Sequence, residues 1–251
     1  MRIKHTAFLL IIAAATAGAQ SSPEVLAGDK DYAAMNAQSA LSHYEKALAA
    51  DPRNFEALWK ASRSAVDIGS YAPDESRRTE LFSTGEQYAR RALALNPDNA
   101  EGHFALARAL GKAALAQSAR GRVKYATEIR AHALECLKLD PRNGGCLHVM
   151  GMWNAEVMRL SGFTRMVAKN FLGGKVFSSA SWSEARSYMQ RSVQSDPSRI
   201  VHHLDLAGVY RDTNDKAHER SELETVLRLP EVDVNDHHYK DEAKAELAAI
   251  R

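Results

Sequence analysis

One four-residue phrase occurs four times in this chain, each time between two amphipathic stretches. Its copies are Asp51-Pro52-Arg53-Asn54, Asn96-Pro97-Asp98-Asn99, Asp140-Pro141-Arg142-Asn143 and Asp196-Pro197-Ser198-Arg199. Proline cannot continue a helix, and it disfavours the α conformation in the residue before it. Asp or Asn before it, and Asn after it, supply turn and N-cap chemistry. The phrase predicts a repeated helix–turn–helix hinge, and such self-similarity is typical of an all-α solenoid.

The spacing of the hinges narrows the type of repeat. Successive hinges lie 45, 44 and 56 residues apart, and a degenerate fifth hinge at Pro230 follows after 33. A tetratricopeptide repeat is about 34 residues long. The last interval fits this length directly, and the others fit with insertions between the two helices of a repeat, at 71–74, 116–122 and 161–181. The sequence therefore predicts a tetratricopeptide-like α-solenoid with inter-helix insertions.

Side-chain size supports this prediction. Counting back from Pro52 places Ala40, Tyr44 and Ala47 at the small, large and small packing positions of the second helix. Residues 234–251 predict a final amphipathic helix, and a solenoid needs such a helix to cover its last apolar face. The apolar face of this capping helix consists of Tyr239, Ala243, Leu247 and Ile250.

The first residues have the pattern of an export signal. Arg2 and Lys4 precede a short apolar run, and Ala17-Gly18-Ala19 offers a cleavage site. We expect a cleaved signal peptide at 1–19, a polar leader at 20–30 and the repeat domain at 31–251. The mature protein is then expected in the periplasm or cell envelope, without an integral membrane segment. Cleavage lowers the formal net charge from +2 to 0, which does not favour a nucleic-acid partner.

The two cysteines, Cys136 and Cys146, flank the third hinge. In an exported protein they could form a disulfide. Alternatively, they could be two buried thiols that pack as small apolar residues.

Arrays of this kind bind partners on a concave face lined by the first helix of each repeat. The phase of the hinges predicts eight inward-facing binding-groove residues: Trp59, Arg63, Phe104, Arg108, His148, Met152, Leu204 and Arg211. Aromatic, Met and Arg side chains are favoured at recognition surfaces. The alternative is that Trp59 and Phe104 pack under the inserted segments and each Arg pairs with a nearby Glu.

The insertion at 162–174 is the most irregular part of the chain. Phe163, Met166 and Phe171 make it apolar, so it could form a lid over the groove or contact a membrane surface. It could equally fold back and pack on the solenoid.

No catalytic or metal-binding motif accompanies the repeats. The histidines lack His-Glu-x-x-His spacing, and there is neither a phosphate-binding loop nor a nucleophile elbow. We therefore expect no enzymatic activity, no metal and no cofactor.

Several stretches resemble the regulator of microtubule dynamics family. They are residues 58–64, 85–93, 124–139, 147–153 and 181–185, and the insertions between them agree in order and length. The resemblance covers roughly residues 40–250. It implies a helical-repeat fold, and from one branch of the family it suggests a lipid-like ligand. A bacterial, exported relative would not have microtubules as its partner.

Two hypotheses follow for function. The first is a non-enzymatic exported scaffold that holds a peptide segment or a partner protein in its groove. The second is a carrier of a lipid-like or small hydrophobic anionic ligand, with the 162–174 insertion as its lid.

Overall fold

The computed structural model describes residues 21–114, 118–162, 164, 166 and 175–250. Within these residues the chain forms eleven α-helices and one 3₁₀ helix at Lys175–Ser179, and no strand. The helices are α1 (Pro23–Ala33), α2 (Ala37–Ala50), α3 (Phe55–Ser70), α4 (Glu75–Leu95), α5 (Ala100–Ala113), α6 (Ala119–Leu139), α7 (Gly144–Arg159), α8 (Trp182–Ser195), α9 (Ile200–Asp212), α10 (Lys216–Arg228) and α11 (Asp236–Ala249). The predicted all-α solenoid is confirmed.

At three of the four hinges, the asparagine side chain caps the helix that follows, as the sequence predicts. The side chains of Asn54, Asn99 and Asn143 accept hydrogen bonds from the backbone N–H three residues later, at 2.9, 3.1 and 3.0 Å. Each Asn thereby satisfies a donor that the first helical turn leaves free. At the fourth hinge, Arg199 occupies the N-cap position and its side chain makes no capping bond.

Consecutive helices pack in antiparallel pairs from α1–α2 to α9–α10, and α11 follows the last pair. The predicted packing positions Ala40, Tyr44 and Ala47 are at most 3% exposed. Gly28 on α1 faces the ring of Tyr44, and a Cβ at this glycine would lie 2.5 Å from the ring. The close approach of α1 and α2 therefore requires a residue without a side chain at position 28.

Beside the first two predicted insertions, the second helix of the repeat is long, and residues 71–74 themselves form a turn before α4. Helices α4 and α6 each contain 21 residues, so the additional residues extend the second helix of the repeat at its N-terminal end. Asp74 and Ser118 cap these extended helices. The third insertion contains the 3₁₀ helix.

The prediction of a polar leader over 20–30 is wrong. Helix α1 begins at Pro23, and Ser22 caps it. Val25 is fully buried in the first core cluster, and Asp29 lies 2.6 Å from the ammonium of Lys60 on α3. The segment reads as polar because only one narrow face of α1 is apolar, yet it belongs to the repeat domain.

Cys136 and Cys146 are joined in a disulfide that spans the third hinge. Both side chains are fully buried, and the bond ties the end of α6 to the first turn of α7.

In the part of the chain that the structure describes, no helix combines the length and the apolar character needed to cross a membrane. The predicted signal peptide lies outside the described residues.

Candidate functional site: a cavity on the concave face

The concave face encloses a cavity of about 1500 Å³. The first helices of successive repeats, α3, α5, α7 and α9, supply much of its wall. Helix α6 contributes Val123, Ala126 and Ile129 on one side, and α11 contributes Tyr239 and Glu242 on another. The cavity is larger than the 300–1,000 Å³ of ordinary small-molecule sites, so it can accept several residues of a peptide or a long amphiphile.

The structure brings six of the eight predicted groove residues to this cavity. They are Arg63, Phe104, Arg108, His148, Met152 and Leu204. The phase counted from the hinges therefore places most first-helix positions as expected. Their role in binding stays a prediction.

Trp59 and Arg211 do not line the cavity, so their predicted placement needs correction. The indole of Trp59 packs against the two core clusters between the first repeats. Arg211 pairs with Glu246 of α11 at 2.5 Å. The pairing of Arg211 with a glutamate is the alternative that the sequence left open, whereas Trp59 packs against the core rather than under an insertion.

A buried carboxylate and a partly buried one each pair with an arginine of the cavity. The carboxylate of Asp67 on α3 has no exposed surface, pairs with Arg108 and accepts a 2.7 Å bond from the Tyr32 hydroxyl. Arg199 pairs in the same way with Asp233. Burial, and then the Asp67 and Asp233 carboxylates, raise the pKa of Tyr32 well above its usual value. This network links α1, α3 and α5, and through Asp233 the segment before α11.

Two other cations of the cavity wall have no carboxylate partner among the described residues. The guanidinium of Arg63 stacks on the ring of Tyr32, with its central carbon 3.6 Å from the centroid, and its Nε is buried without a hydrogen bond. Lys112, one helical turn after Arg108, forms no ion pair within the described chain. Burial, and then the charge of Arg108, lower the pKa of Lys112.

The carboxylates of the wall, in contrast, all have donors. Asp205 accepts from His148 at 2.7 Å, and Glu242 accepts from the Tyr71 hydroxyl at 2.9 Å. The others, each bonded within the described chain, are Glu101, Glu156, Asp196, Asp233 and Asp236. Of these carboxylates, Asp236 keeps one buried oxygen, Oδ1, without a donor in the described chain. Arg63 and Lys112 are thus cations of the wall without an ion pair among the described residues, and an anionic group of a ligand could pair with them.

One side of the cavity is apolar. Val123, Trp153, Val157 and Phe177 form a core cluster and are at most 8% exposed. The indole N–H of Trp153 donates to the carbonyl of Ala126 at 2.8 Å, so the polar edge of the ring is satisfied. The sequence count missed this wall because it covered only the first helix of each repeat, whereas Val123 follows the second insertion and Phe177 lies in the third.

His148 and His202 lie side by side in the wall, with ring centroids 4.9 Å apart. Burial, and then the neighbouring His148, lower the pKa of His202 to about 2. Asp205 orients His148. Within the described chain, neither ring bonds to a hydroxyl or thiol side chain, so the pair lacks the arrangement of a nucleophile and its base.

The predicted lid is only partly described. Met166 is exposed, whereas Phe163 and Phe171 lie outside the described residues.

The last helix does more than cap the array. The ring of Tyr71, just after α3, stacks on His238 with centroids 3.8 Å apart. The amide of Asn235 donates to the carbonyl of Asp67 at 3.3 Å. The residues in contact are up to about 200 positions apart in the chain, so the solenoid closes on itself. We call residues 233–242 the closing segment.

Comparisons with known proteins identify the family. The family model described as regulator of microtubule dynamics protein 1-3 matches residues 25–251. The chain belongs to this family. It is 26% identical over 154 residues to regulator of microtubule dynamics protein 1 of Bos taurus, covering 61% of this chain and 48% of that protein. The protein of the same name from Pongo abelii is 23% identical over 202 residues, covering 80% and 64%. The matched part thus spans about half to two thirds of these family members.

Solved structures identify the repeat. A thermophilic TPR protein of Thermus thermophilus superposes with a TM-score of 0.60 at 16% identity, covering 88% of this chain and 97% of that one. PilF of Pseudomonas aeruginosa superposes with a TM-score of 0.52 at 13% identity, covering 90% and 87%. The predicted tetratricopeptide-like fold is therefore confirmed.

Proposed function

We propose that the protein is a non-enzymatic exported scaffold that holds an acidic peptide segment of a partner in its concave cavity. The observation that carries the proposal is the pair of cations, Arg63 and Lys112, which form no ion pair with a carboxylate of the described residues, although each described carboxylate of the wall has at least one hydrogen-bond donor. A side-chain or terminal carboxylate of the peptide supplies the missing charge. The apolar wall around Trp153 takes a neighbouring aliphatic or aromatic side chain.

Selection from a random dodecapeptide library, followed by calorimetry, tests this proposal. We expect enriched peptides to combine a carboxylate with a bulky apolar residue. Lys112→Met should weaken their binding on the order of tenfold or more, because a charged contact in a partly dry site is lost. Lys46→Met is the matched control, since Lys46 is exposed on α2 and does not line the cavity.

Arg108 is a poor choice for this test. Its removal would leave the buried Asp67 carboxylate without its cation, which costs about 3–5 kcal/mol of folding stability.

Equal binding by Lys112→Met and Lys46→Met, or enrichment of neutral and acidic peptides alike, would contradict the proposal.

A second candidate is a carrier of a lipid-like anionic ligand. The continuous apolar surface of Val123, Trp153, Val157 and Phe177 favours it, because one alkyl chain could cover this surface. Native mass spectrometry of protein purified from its own host should then show an added amphiphile that Lys112→Met loses. A bare mass in wild-type protein would count against this candidate.

We further propose that this family member is bacterial and is exported with loss of residues 1–19. The disulfide supports export, since such bonds persist in oxidising compartments. Mass spectrometry of the mature protein should find Gln20 at its N-terminus, and an intact Met1 in cell-envelope protein would refute cleavage.

A further inference from the structure

The closing segment places one of the protein's own carboxylates on a cation of the cavity. Asp233 pairs with Arg199 and lies 3.5 Å from the hydroxyl of Tyr32 on α1. Arg199, Tyr32 and Asp233 all line the cavity. An anionic group of a ligand would therefore have to compete with Asp233 for Arg199.

The contacts that close the solenoid are few and mostly polar. They include the hydrogen bonds from Tyr71 to Glu242 and from Asn235 to the Asp67 carbonyl, the 3.5 Å contact of Tyr32 with Asp233, and ring contacts of Tyr71 with His238 and Tyr239. No core cluster of the described residues joins the two ends. The apolar face of α11 packs with Ile200 and Leu223, whereas the first repeats have separate clusters. The closure can therefore open without exposing a hydrophobic core.

From these two observations we propose that the closing segment is an autoinhibitory strap, with Asp233 standing in for the carboxylate of the bound partner. The anionic group of the ligand takes Arg199 as Asp233 leaves it, and the contacts of Tyr71 with α11 break in the same step. This inference rests on the proposed function, since it assumes an anionic ligand in the cavity.

Asp233→Asn tests the strap, because it keeps the shape of the side chain and removes its charge. Two fluorescent probes with the same ring system serve as ligands: anionic 1-anilinonaphthalene-8-sulfonate and uncharged N-phenyl-1-naphthylamine. We expect the sulfonate to bind about tenfold more tightly to the variant, since the apparent affinity rises with the open fraction and a minor state is populated on the order of 10% or less. Glu231→Gln is the control. It removes an equal charge from an exposed residue just before the segment.

A distance measurement follows the opening without any ligand. Spin labels on Ser76→Cys and Ala245→Cys, both exposed, report the separation of α4 and α11 by electron–electron resonance. The native cysteines are bonded to each other and do not take up label. We expect one short, narrow distance in the parent chain and a longer, broader distribution with Asp233→Asn.

The outcomes separate the two proposals. Unchanged distances and unchanged sulfonate affinity in Asp233→Asn would overturn the strap, as would weaker binding, which would make the segment a fixed wall of the site. If distances change while neither library peptides nor the sulfonate bind, the strap stands as a conformational element and the proposed function fails.

Discussion

At the scale of single residues, burial decides which side chains carry charge. His202 is 4% exposed, and its pKa falls to about 2, whereas an unfolded chain binds that proton near pH 6.5. Below pH 6.5 the imidazole of His202 binds a proton in the unfolded state but not in the folded state. The contribution of His202 to stability is therefore present above about pH 6.5 and is lost as the pH falls.

We predict that His202→Leu makes folding less sensitive to acid. Between pH 6.5 and 4.5 the wild type should lose about 2–3 kcal/mol of unfolding free energy through this group, at about 1.4 kcal/mol per pH unit. The variant should lose correspondingly less in urea titrations at the two pH values. His237→Leu, at an exposed position, is the control. An equally steep loss in His202→Leu would contradict the assignment.

The sequence predicted residues of the cavity only where the repeat phase applies. Arg63, Phe104 and Arg108 fall on counted positions and line the cavity. The inward positions counted on α5 end at Gly111, so the count did not include Lys112. Phe104 reaches the cavity across Gly145, where a Cβ would meet its ring at 2.5 Å. Because Gly145 belongs to α7 in the next repeat, the sequence of α5 alone does not predict this contact.

At the scale of elements, the third hinge is reinforced by a covalent bond. The disulfide closes a short loop, with the two cysteines ten positions apart in sequence. A loop of this length restricts the unfolded chain enough to stabilise the fold by about 2–3 kcal/mol.

We predict that Cys136→Ala with Cys146→Ala lowers the free energy of unfolding by about that amount. Alanine avoids placing a hydroxyl in a fully buried site. Dithiothreitol should lower the urea midpoint of the wild type and leave that of the double variant unchanged. If the wild-type midpoint is insensitive to the reductant, the bond contributes nothing to stability.

Helix bounds were less predictable than helix existence. The hinges fixed where α3, α5 and α7 begin, because Asn caps act within three residues. They could not show how far α4 and α6 extend toward their N-termini, because the starts at Glu75 and Ala119 lie far from any hinge. The start of α1 was missed for a related reason: its single buried face becomes apparent only against Tyr44.

At the scale of the whole molecule, stability and closure are separable. Leu206 is 2% exposed in the core between α8 and α9, so Leu206→Ala should cost about 2–5 kcal/mol. Tyr71 closes the solenoid through one exposed hydrogen bond and ring contacts. We predict that Tyr71→Ala costs only about 1–2 kcal/mol in urea denaturation. A loss as large as that of Leu206→Ala would show that the closure belongs to the folding core.

The sequence by itself determined the helices, the hinges and the phase of the concave face, because each depends on residues a few positions apart. Only the tertiary structure decided that the array closes and that Asp67 and Asp233 pair with two arginines. It also decided that Arg63 and Lys112 have no carboxylate partner in the part of the chain that the structure describes. These pairings join distant residues, and the accumulated rotation of successive repeats brings them together. No short stretch of sequence determines this accumulated rotation.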